Sequence, residues 1–126
     1  MNPTSEHSLR TAIERHLAGD IAAAFKIYSD ILSTDPQNVT ALVNQSVIFI
    51  DLERPKDAAE LLERAVILVP EDIEALNNYG NALQKLGQSD GAIKQFKKAL
   101  SLAPANAAVA SSLGRALLRQ GDYTAA

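Results

Sequence analysis

The chain has 126 residues, no cysteine and a formal net charge of −3 at pH 7, from 12 basic and 15 acidic side chains. The lack of cysteine excludes disulfides and thiolate metal sites, and the acidic balance argues against a nucleic-acid-binding protein, which needs a basic face. Apolar residues make up 47% of the chain but aromatic residues only 5%, which favours a closely packed helical array over a β-sandwich or a barrel.

The signals for helix starts and ends predict seven helices and no strand, hence an all-α fold. The helices are expected over residues 5–18, 21–34, 39–52, 56–69, 73–86, 90–102 and 107–120. Turns inside the helix pairs are expected at Gly19, Gly87 and Gly121, because glycine readily ends a helix. Pro55 stands at the start of a helix, where proline is tolerated.

A period of 34 residues organises these helices. Prolines recur at this spacing at Pro36, Pro70 and Pro104. Two residues after each proline stands a short polar residue, and one further step back reaches a fourth: Asn38, Asp72, Asn106 and Thr4. The side-chain oxygens of such residues can accept hydrogen bonds from the free amides of a first helical turn. Each is therefore predicted to be the N-cap of a helix.

Three further columns follow the same period. The first column contains only alanine, at Ala24, Ala58 and Ala92. The second contains a large residue, at Tyr28, Leu62 and Phe96. The third contains a small residue, at Ala12, Ser46, Gly80 and Gly114. Two helices can pack closely only where the facing side chains are small, and the large residue then fills the gap beside the next unit. Because one such unit cannot bury its apolar face alone, the units are expected to stack into a superhelix.

These columns resemble the tetratricopeptide repeat family over nearly the whole chain. The third unit matches best, at Leu76, Tyr79, Gly80, Leu83, Ala92, Phe96, Ala99 and Pro104. The second unit departs at Gln45 and Ser46, where the family has an aromatic–glycine pair. The resemblance implies one domain, residues 1–126, that is a right-handed superhelical stack of antiparallel helix pairs. Its repeats would span residues 5–38, 39–72, 73–106 and, in part, 107–126.

The resemblance also implies that the first helix of each pair lines a concave groove, the usual binding surface of the family. The residues expected to bind a peptide or protein there are Val43, Asn44, Val47, Asn77, Asn78, Asn81 and Arg115. With Leu9, Ile13 and Ile50 added, the groove is expected to be apolar at its start, rich in amides in the middle and positive at its end. An apolar start of this kind indicates an interface.

Asn44 and Asn78 occupy the same repeat position, where the fourth unit has Ser112. An asparagine amide both donates and accepts, so a series of them can hold an extended peptide backbone. This arrangement resembles the asparagine ladder in the repeat region of O-linked N-acetylglucosamine transferase. The alternative is that both asparagines bond to neighbouring helices.

A second binding mode of the family is not expected here. Repeat domains that hold the carboxyl end of heat-shock chaperones use paired lysines and an arginine together with asparagines. The matching positions here are Val43, Val47, Ser111 and Arg115, so that only Asn78 and Arg115 fit. Because the missing lysines would supply the charge-assisted hydrogen bonds, tight chaperone-tail binding is not predicted.

No catalytic residue, metal site or cofactor is expected. His7 and His16 are nine residues apart on one helix and so point to nearly opposite faces. The prediction is a non-catalytic, cytoplasmic binding scaffold that engages neither nucleic acid nor membrane. Two alternatives remain. Residues 9–20, continuing to Ile27–Tyr28 and Ile31–Leu32, resemble the amino-terminal repeats that precede bacterial glycosyltransferase and sulfotransferase domains. This would make the chain a targeting arm of a larger enzyme. The chain could also be a homodimerisation module.

The fourth unit is expected to stop after its first helix and a turn at Gly121–Asp122. Since repeat arrays usually close with a polar capping helix, the chain is predicted to be the amino-terminal part of a longer repeat protein. The alternative is a short protein whose end is covered by a partner. In either case the apolar face of the last helix is expected to be exposed and to favour self-association.

Overall fold

A computed structural model describes residues 3–125, with side chains described from Ser5 to Gly121. Its elements are seven α-helices: α1 (Pro3–Leu17), α2 (Ile21–Thr34), α3 (Val39–Asp51), α4 (Pro55–Leu68), α5 (Ile73–Lys85), α6 (Ser89–Leu102) and α7 (Ala107–Ala125). The described residues contain no strand. The all-α prediction is therefore confirmed, and every expected helix is present.

Three of the four predicted N-caps are formed. The side-chain oxygens of Asn38 and Asp72 each accept from a backbone amide three residues on at 3.0 Å, and that of Asn106 does so at 3.1 Å. The prediction for Thr4 is wrong, because α1 already begins at Pro3 and Thr4 lies inside the helix. Asp20 supplies a further cap, for α2, by accepting from the amide of Ala23 at 3.3 Å.

The turns inside the first and third helix pairs contain the predicted glycines. Gly19 and Gly87 have φ angles of 86° and 78°, in the left-handed region that glycine enters without steric cost. In the second pair Glu53 adopts φ 58° at the corresponding place. The neighbouring residue supports this less favourable turn. The Arg54 guanidinium lies 5.2 Å from the centre of the Phe49 ring and pairs with Asp57 at 2.8 Å.

The turn predicted at Gly121–Asp122 is wrong, because α7 continues through both residues to Ala125. Gly121 does not take the positive φ angle that ends α1 and α5 at the equivalent glycines. In the earlier pairs a second helix packs back on the first and stabilises the turn. Within the described residues no helix packs back on α7 in this way, so helical hydrogen bonding continues instead.

The repeated columns form the core. The alanines of the second helices, Ala24, Ala58 and Ala92, are fully buried. The large residues four positions later, Tyr28, Leu62 and Phe96, are also among the fully buried side chains. An ideal Cβ placed on Gly80 would lie 2.7 Å from Cδ1 and Cζ of Phe96, so the ring fills the space that the glycine leaves. Phe96 also shares an apolar cluster with Ala116 of the next unit, as the column predicted.

Polar contacts tie successive units together. Gln45 of α3 lies where the family pattern has an aromatic residue, and its amide donates to the Ser29 hydroxyl of α2 at 2.8 Å. Arg64 of α4 donates to the carbonyl oxygen of Pro36, in the turn that precedes α3, at 2.7 Å. These bonds fix the register of the second unit against the first.

The stack bends toward its first helices. Helix α3 contacts α5, and α5 contacts α7, whereas in the described residues no comparable contact joins α2 to α4 or α4 to α6. Because the first helices lie closer together than the second helices, they form the inner, concave side. This is the side on which the sequence predicted the groove.

Candidate functional site

The concave side opens into a cavity of about 330 Å³ between α3, α5 and α7, here called the C-terminal pocket. Its lining comes almost entirely from the first helices of three consecutive units, with one ring from α6 at its floor: Ile50, Asn81, Gln84, Lys85, Phe96, Ser112, Arg115, Ala116 and Arg119. The bend of the stack therefore brings together side chains that are far apart in sequence.

Of the seven residues predicted to bind a ligand, this pocket contains Asn81 and Arg115. Asn77 and Asn78 belong to the same helix as Asn81 but do not line the pocket. Sequence reasoning did not assign Phe96 and Ala116 to the groove. The sequence signal for Phe96 is that it packs against Gly80. Because glycine has no side chain, the ring can reach through to the concave side.

Val43 is not a groove residue. Its side chain is only 3% exposed and packs with Leu62, Ala75 and Ala82. The prediction is wrong because neighbouring first helices contact each other, so α5 covers part of the face of α3 that would otherwise be open. Leu9, expected at the apolar start of the groove, is buried in the same manner, at 8% exposure.

The apolar start of the groove is consequently small. Ile13 and Ile50 are half-buried and pack against core clusters. Val47 is half-buried as well and belongs to none of the core clusters of the described residues. Of the predicted apolar residues, Val47 is thus half-buried outside the core clusters of the described residues, and Ile50 lines the C-terminal pocket.

The asparagines at the shared repeat position differ in their surroundings. Asn44 interacts with the buried Tyr28, where burial raises the pKa of the hydroxyl and the Asn44 amide offsets part of the rise. The Tyr28 hydroxyl has no hydrogen bond of good geometry to any described residue, so its interaction with Asn44 is long or poorly aligned. Asn78 is half-buried and has no hydrogen-bond partner in the described part of the chain.

Ser112, at the same position of the fourth unit, is buried, and its hydroxyl donates to the Ala108 carbonyl oxygen at 3.0 Å. The Ser112 hydroxyl is thus already hydrogen-bonded within α7. The polar groups of the groove are concentrated on α5. There the Asn77 Oδ1 and Gln84 Oε1 atoms are buried without a hydrogen-bond partner among the described residues, which is uncommon for buried polar atoms.

Positive charge is concentrated at the end of the groove. Lys85 of α5 lies 3.9 Å from a carboxylate oxygen of Glu53. Arg115 and Arg119 of α7 have exposed side chains and neither an ion pair nor a hydrogen bond within the described residues. The three cations that the sequence predicted at this end line one pocket, and two of them have no counter-charge within the described residues.

Other classes of site are not found in the described part of the chain. No three histidine, cysteine or carboxylate side chains there come together in a way that could hold a metal ion. Burial, and to a smaller extent Glu63, raises the pKa of Tyr79, so this phenol is no acid or base near neutral pH. Within residues 3–125 no helix is both long and apolar enough to cross a membrane.

Comparison with known proteins identifies the architecture. Two family models described as tetratricopeptide repeat match residues 16–77 and 77–126. The chain is 31% identical over 105 residues, 82% of its length, to the Arabidopsis thaliana "Protein CTR9 homolog". It is 30% identical over 128 residues, 97% of its length, to the Mus musculus "Protein O-mannosyl-transferase TMTC1". The matched regions are only 10% and 14% of those proteins, so the chain spans about a tenth of the length of these relatives.

Among solved structures, the first repeat domain of Spaghetti (RPAP3), bound to the HSP90 peptide SRMEEVD, superposes with a TM-score of 0.88. Its sequence identity is 20%, and 93% of each chain is covered. This likeness concerns the fold.

Proposed function

The chain belongs to the tetratricopeptide repeat family, and we propose that it is a non-catalytic scaffold that binds an extended peptide or protein segment along its concave groove. One observation carries the proposal. Asn78 and Asn81 are half-buried on α5, Asn81 lines the C-terminal pocket, and neither has a hydrogen-bond partner in the described residues. Half-buried amides of this kind are open to water, and the polar groups of a ligand in the groove would take the place of that water.

The position of these amides suits a peptide backbone. Residues three apart on a helix are neighbours on one face, so Asn78 and Asn81 present their amides side by side. Each amide offers a donor and an acceptor, which match the carbonyl and amide groups of an extended chain. Val47 on α3 offers an apolar contact, and the C-terminal pocket, which Asn81 lines, offers polar contacts.

The replacement Asn78→Ala is expected to weaken peptide binding about two- to tenfold, the effect of losing one or two neutral hydrogen bonds. The free energy of unfolding should change by less than about 0.5 kcal/mol, because Asn78 has no internal partner to lose. Peptides selected from a display library on the wild-type chain would be the ligands. Fluorescence anisotropy would give the dissociation constants, and urea denaturation the stability.

Two matched amides serve as controls. Gln37→Ala removes an exposed amide outside the groove and should leave both quantities unchanged. Asn44→Ala should lower stability, because it removes the side chain that interacts with the buried Tyr28 hydroxyl. If Asn78→Ala lowers stability and leaves binding unchanged, the amide is structural and the groove proposal fails.

The groove is not proposed to hold a ligand by the charge clamp that binds chaperone tails. Two positions that would carry clamp side chains are Val43, which is buried, and Val47, which is apolar. The structural neighbour bound to an HSP90 peptide therefore supports peptide binding in general. We propose a cytoplasmic location as well, since a chain without cysteine suits a reducing compartment.

The groove could also serve a longer protein. The mouse relative is a mannosyltransferase by name, and the match covers 14% of it. This observation favours the alternative that the chain is a targeting arm of a larger enzyme, such as a bacterial glycosyltransferase or sulfotransferase. The native reading frame after Ala126 separates this alternative from a free-standing scaffold.

A homodimerisation role is the other candidate, and exposure on α7 favours it. Leu117 and Leu118 are 43% and 72% exposed, and no atom lies within 4 Å of a Cβ placed on Gly114. We expect the weight-average sedimentation coefficient to rise with concentration, and the rise to disappear in Leu117→Gln/Leu118→Gln. Leu17→Gln, at an exposed leucine of α1, should not change it. A strict monomer at high concentration would contradict this candidate.

A further inference from the structure

We propose that the outer face of helices α4 and α6 docks against the same face of a second copy of this chain, in a two-fold contact between charges of opposite sign. The second helices of the pairs form the convex side of the stack, which is opposite to the groove. The inference therefore goes beyond the proposed function and does not depend on it. It names a further interaction surface, and the partner that fits this surface is the chain itself.

The outer faces of α4 and α6 carry opposite charges at the same repeat positions. Glu60 and Glu63 of α4 stand 34 residues before Lys94 and Lys97 of α6. All four residues are exposed, and none of them forms an ion pair within the described residues. The convex side thus presents an acidic helix and a basic helix in consecutive units, and their charges are not neutralised by each other.

A two-fold axis would bring these charges together. Repeats stack as equivalent units, so residues 34 apart lie at equal heights along α4 and α6. An axis parallel to the two helices and midway between them places α4 of each copy over α6 of the other, at the same height. Glu60 then faces Lys94 of the second copy and Glu63 faces Lys97, and the symmetry of an isologous contact makes each pair twice.

Two further columns carry a charge on both helices. Lys56 and Asp90 share one of them, and their charges are again opposite, although Asp90 also accepts from a side chain of α7 at 2.6 Å. Arg64 and Lys98 share the other, where two cations would meet. The Arg64 guanidinium, however, donates to the Pro36 carbonyl oxygen at 2.7 Å and so is directed toward the preceding unit. The face is therefore complementary to itself in every charged column except the one from which Arg64 is turned away.

Apolar side chains at the carboxyl ends of the two helices add to this contact. Exposed ion pairs are individually weak, because water and salt screen them. Leu68 and Leu102 are 34 residues apart and are 37% and 45% exposed, and Ile67 is 70% exposed. Across the same axis Leu68 faces Leu102 of the second copy. A cavity of about 310 Å³, which Ile67 and Leu68 line, leaves room for the facing leucine. Apolar burial would supply the affinity, while the charges set the register.

The test is sedimentation velocity of the wild-type chain and of two charge variants. The wild type should self-associate in about 20 mM salt, and its dissociation constant should rise about tenfold in about 500 mM salt. Glu60→Lys/Glu63→Lys places like charges opposite each other and should weaken the dimer about tenfold or more. Glu60→Lys/Glu63→Lys/Lys94→Glu/Lys97→Glu, here called the swapped variant, restores opposite charges and should associate within about threefold of wild type.

A mixture of wild type and swapped variant gives the sharpest result. Every chain in it also carries Leu117→Gln/Leu118→Gln, so that α7 does not join the copies. A fluorescently labelled wild-type chain should sediment faster with an excess of unlabelled wild type but not with an excess of the swapped variant. In the mixed pair glutamates would face glutamates and lysines would face lysines. The two unlabelled chains have the same composition and net charge, so only the positions of the charges differ.

The matched control for net charge is Glu6→Lys/Glu14→Lys, at two exposed residues of α1. It changes the net charge by the same amount as Glu60→Lys/Glu63→Lys. The dissociation constant should stay within about twofold of wild type, given the screening of distant surface charges. All of these variants replace exposed side chains and should fold, which circular dichroism would verify.

A chain that stays monomeric up to about 1 mM in low salt would overturn the convex contact. An unchanged dissociation constant in Glu60→Lys/Glu63→Lys, an equal loss in the α1 control, or association of labelled wild type with the swapped variant would each overturn it as well. Self-association that disappears in Leu117→Gln/Leu118→Gln would assign the interface to α7 instead. Peptide binding in the groove is measured separately, so its failure and the failure of the convex contact are distinct results.

Discussion

Replacement of Phe96 by alanine is expected to lower the free energy of unfolding by about 3–5 kcal/mol, the range for removing a fully buried aromatic ring. The ring is 1% exposed and belongs to an apolar cluster with Leu83, Ile93 and Ala116. It thus joins three consecutive helices, α5, α6 and α7. Urea denaturation followed by circular dichroism at 222 nm would measure the loss.

Two substitutions bracket this result. Phe96→Leu keeps most of the apolar volume and should lose only about 1 kcal/mol. Leu118→Ala removes a leucine that is 72% exposed and should change stability by less than about 0.5 kcal/mol. A loss below about 1 kcal/mol for Phe96→Ala would show that the ring does not hold the third unit to the fourth.

Two glycines of one repeat column verify the position of the ring independently. Gly80→Ala should lose about 1–3 kcal/mol, because its Cβ would overlap with the Phe96 ring, which is only 1% exposed. Gly114→Ala should lose nothing, and can gain up to about 1 kcal/mol from the helix propensity of alanine, since no atom lies within 4 Å of the new Cβ. Combining Gly80→Ala with Phe96→Leu should restore part of the loss.

The fold could be predicted because its determinants repeat. Asn38, Asp72 and Asn106 cap their helices in the same way, and each acts through contacts within four residues along the chain. The packing of a column of small residues against a column of large ones can be predicted from their spacing in the sequence, without knowledge of distant contacts. Agreement between local signals and packing is what makes a sequence specify one fold.

The errors arise where a neighbour in space decides the outcome. The turn expected at Gly121 depends on a second helix that packs back on α7, and within the described residues none does. Gln45 interrupts the family pattern in sequence, yet it bonds to Ser29 and so strengthens the contact between two units. Neither outcome is contained in the local sequence.

The same limit applies to the groove. Asn44 and Asn78 are indistinguishable by repeat position, but the first interacts with a buried tyrosine and the second has no internal partner in the described residues. The difference comes from Tyr28, whose counterparts in the later units, Leu62 and Phe96, carry no hydroxyl. The same residue type at one repeat position therefore has different surroundings in two successive units.

Val43→Glu is expected to destabilise the fold and not to block the groove, because Val43 is buried. The repeat position of Val43 predicts a groove residue, so a carboxylate introduced there would be expected to block a ligand without affecting stability. The side chain is instead buried with Leu62, Ala75 and Ala82. A charge placed among them has no partner, so we expect a loss of about 3–5 kcal/mol at pH 7, comparable to leaving a buried charge unpaired.

The pH dependence identifies the cause of the loss. Burial raises the pKa of the introduced carboxyl group above that in the unfolded chain. The folded variant therefore takes up a proton more readily than the unfolded one as the pH falls, and its deficit relative to wild type should shrink between pH 7 and pH 4. Urea denaturation at several pH values would measure this, and a deficit that does not change with pH would contradict a buried charge.

Val47→Glu is the matched control, one turn further along α3. Val47 is half-buried and outside the core clusters of the described residues, so the new carboxylate can reach water and the loss should stay below about 1 kcal/mol. A fall in ligand binding in Val43→Glu would then report unfolding, whereas a fall in Val47→Glu would report the groove. If both variants remain folded and only Val43→Glu loses binding, Val43 faces the ligand and the position of α5 over α3 is wrong.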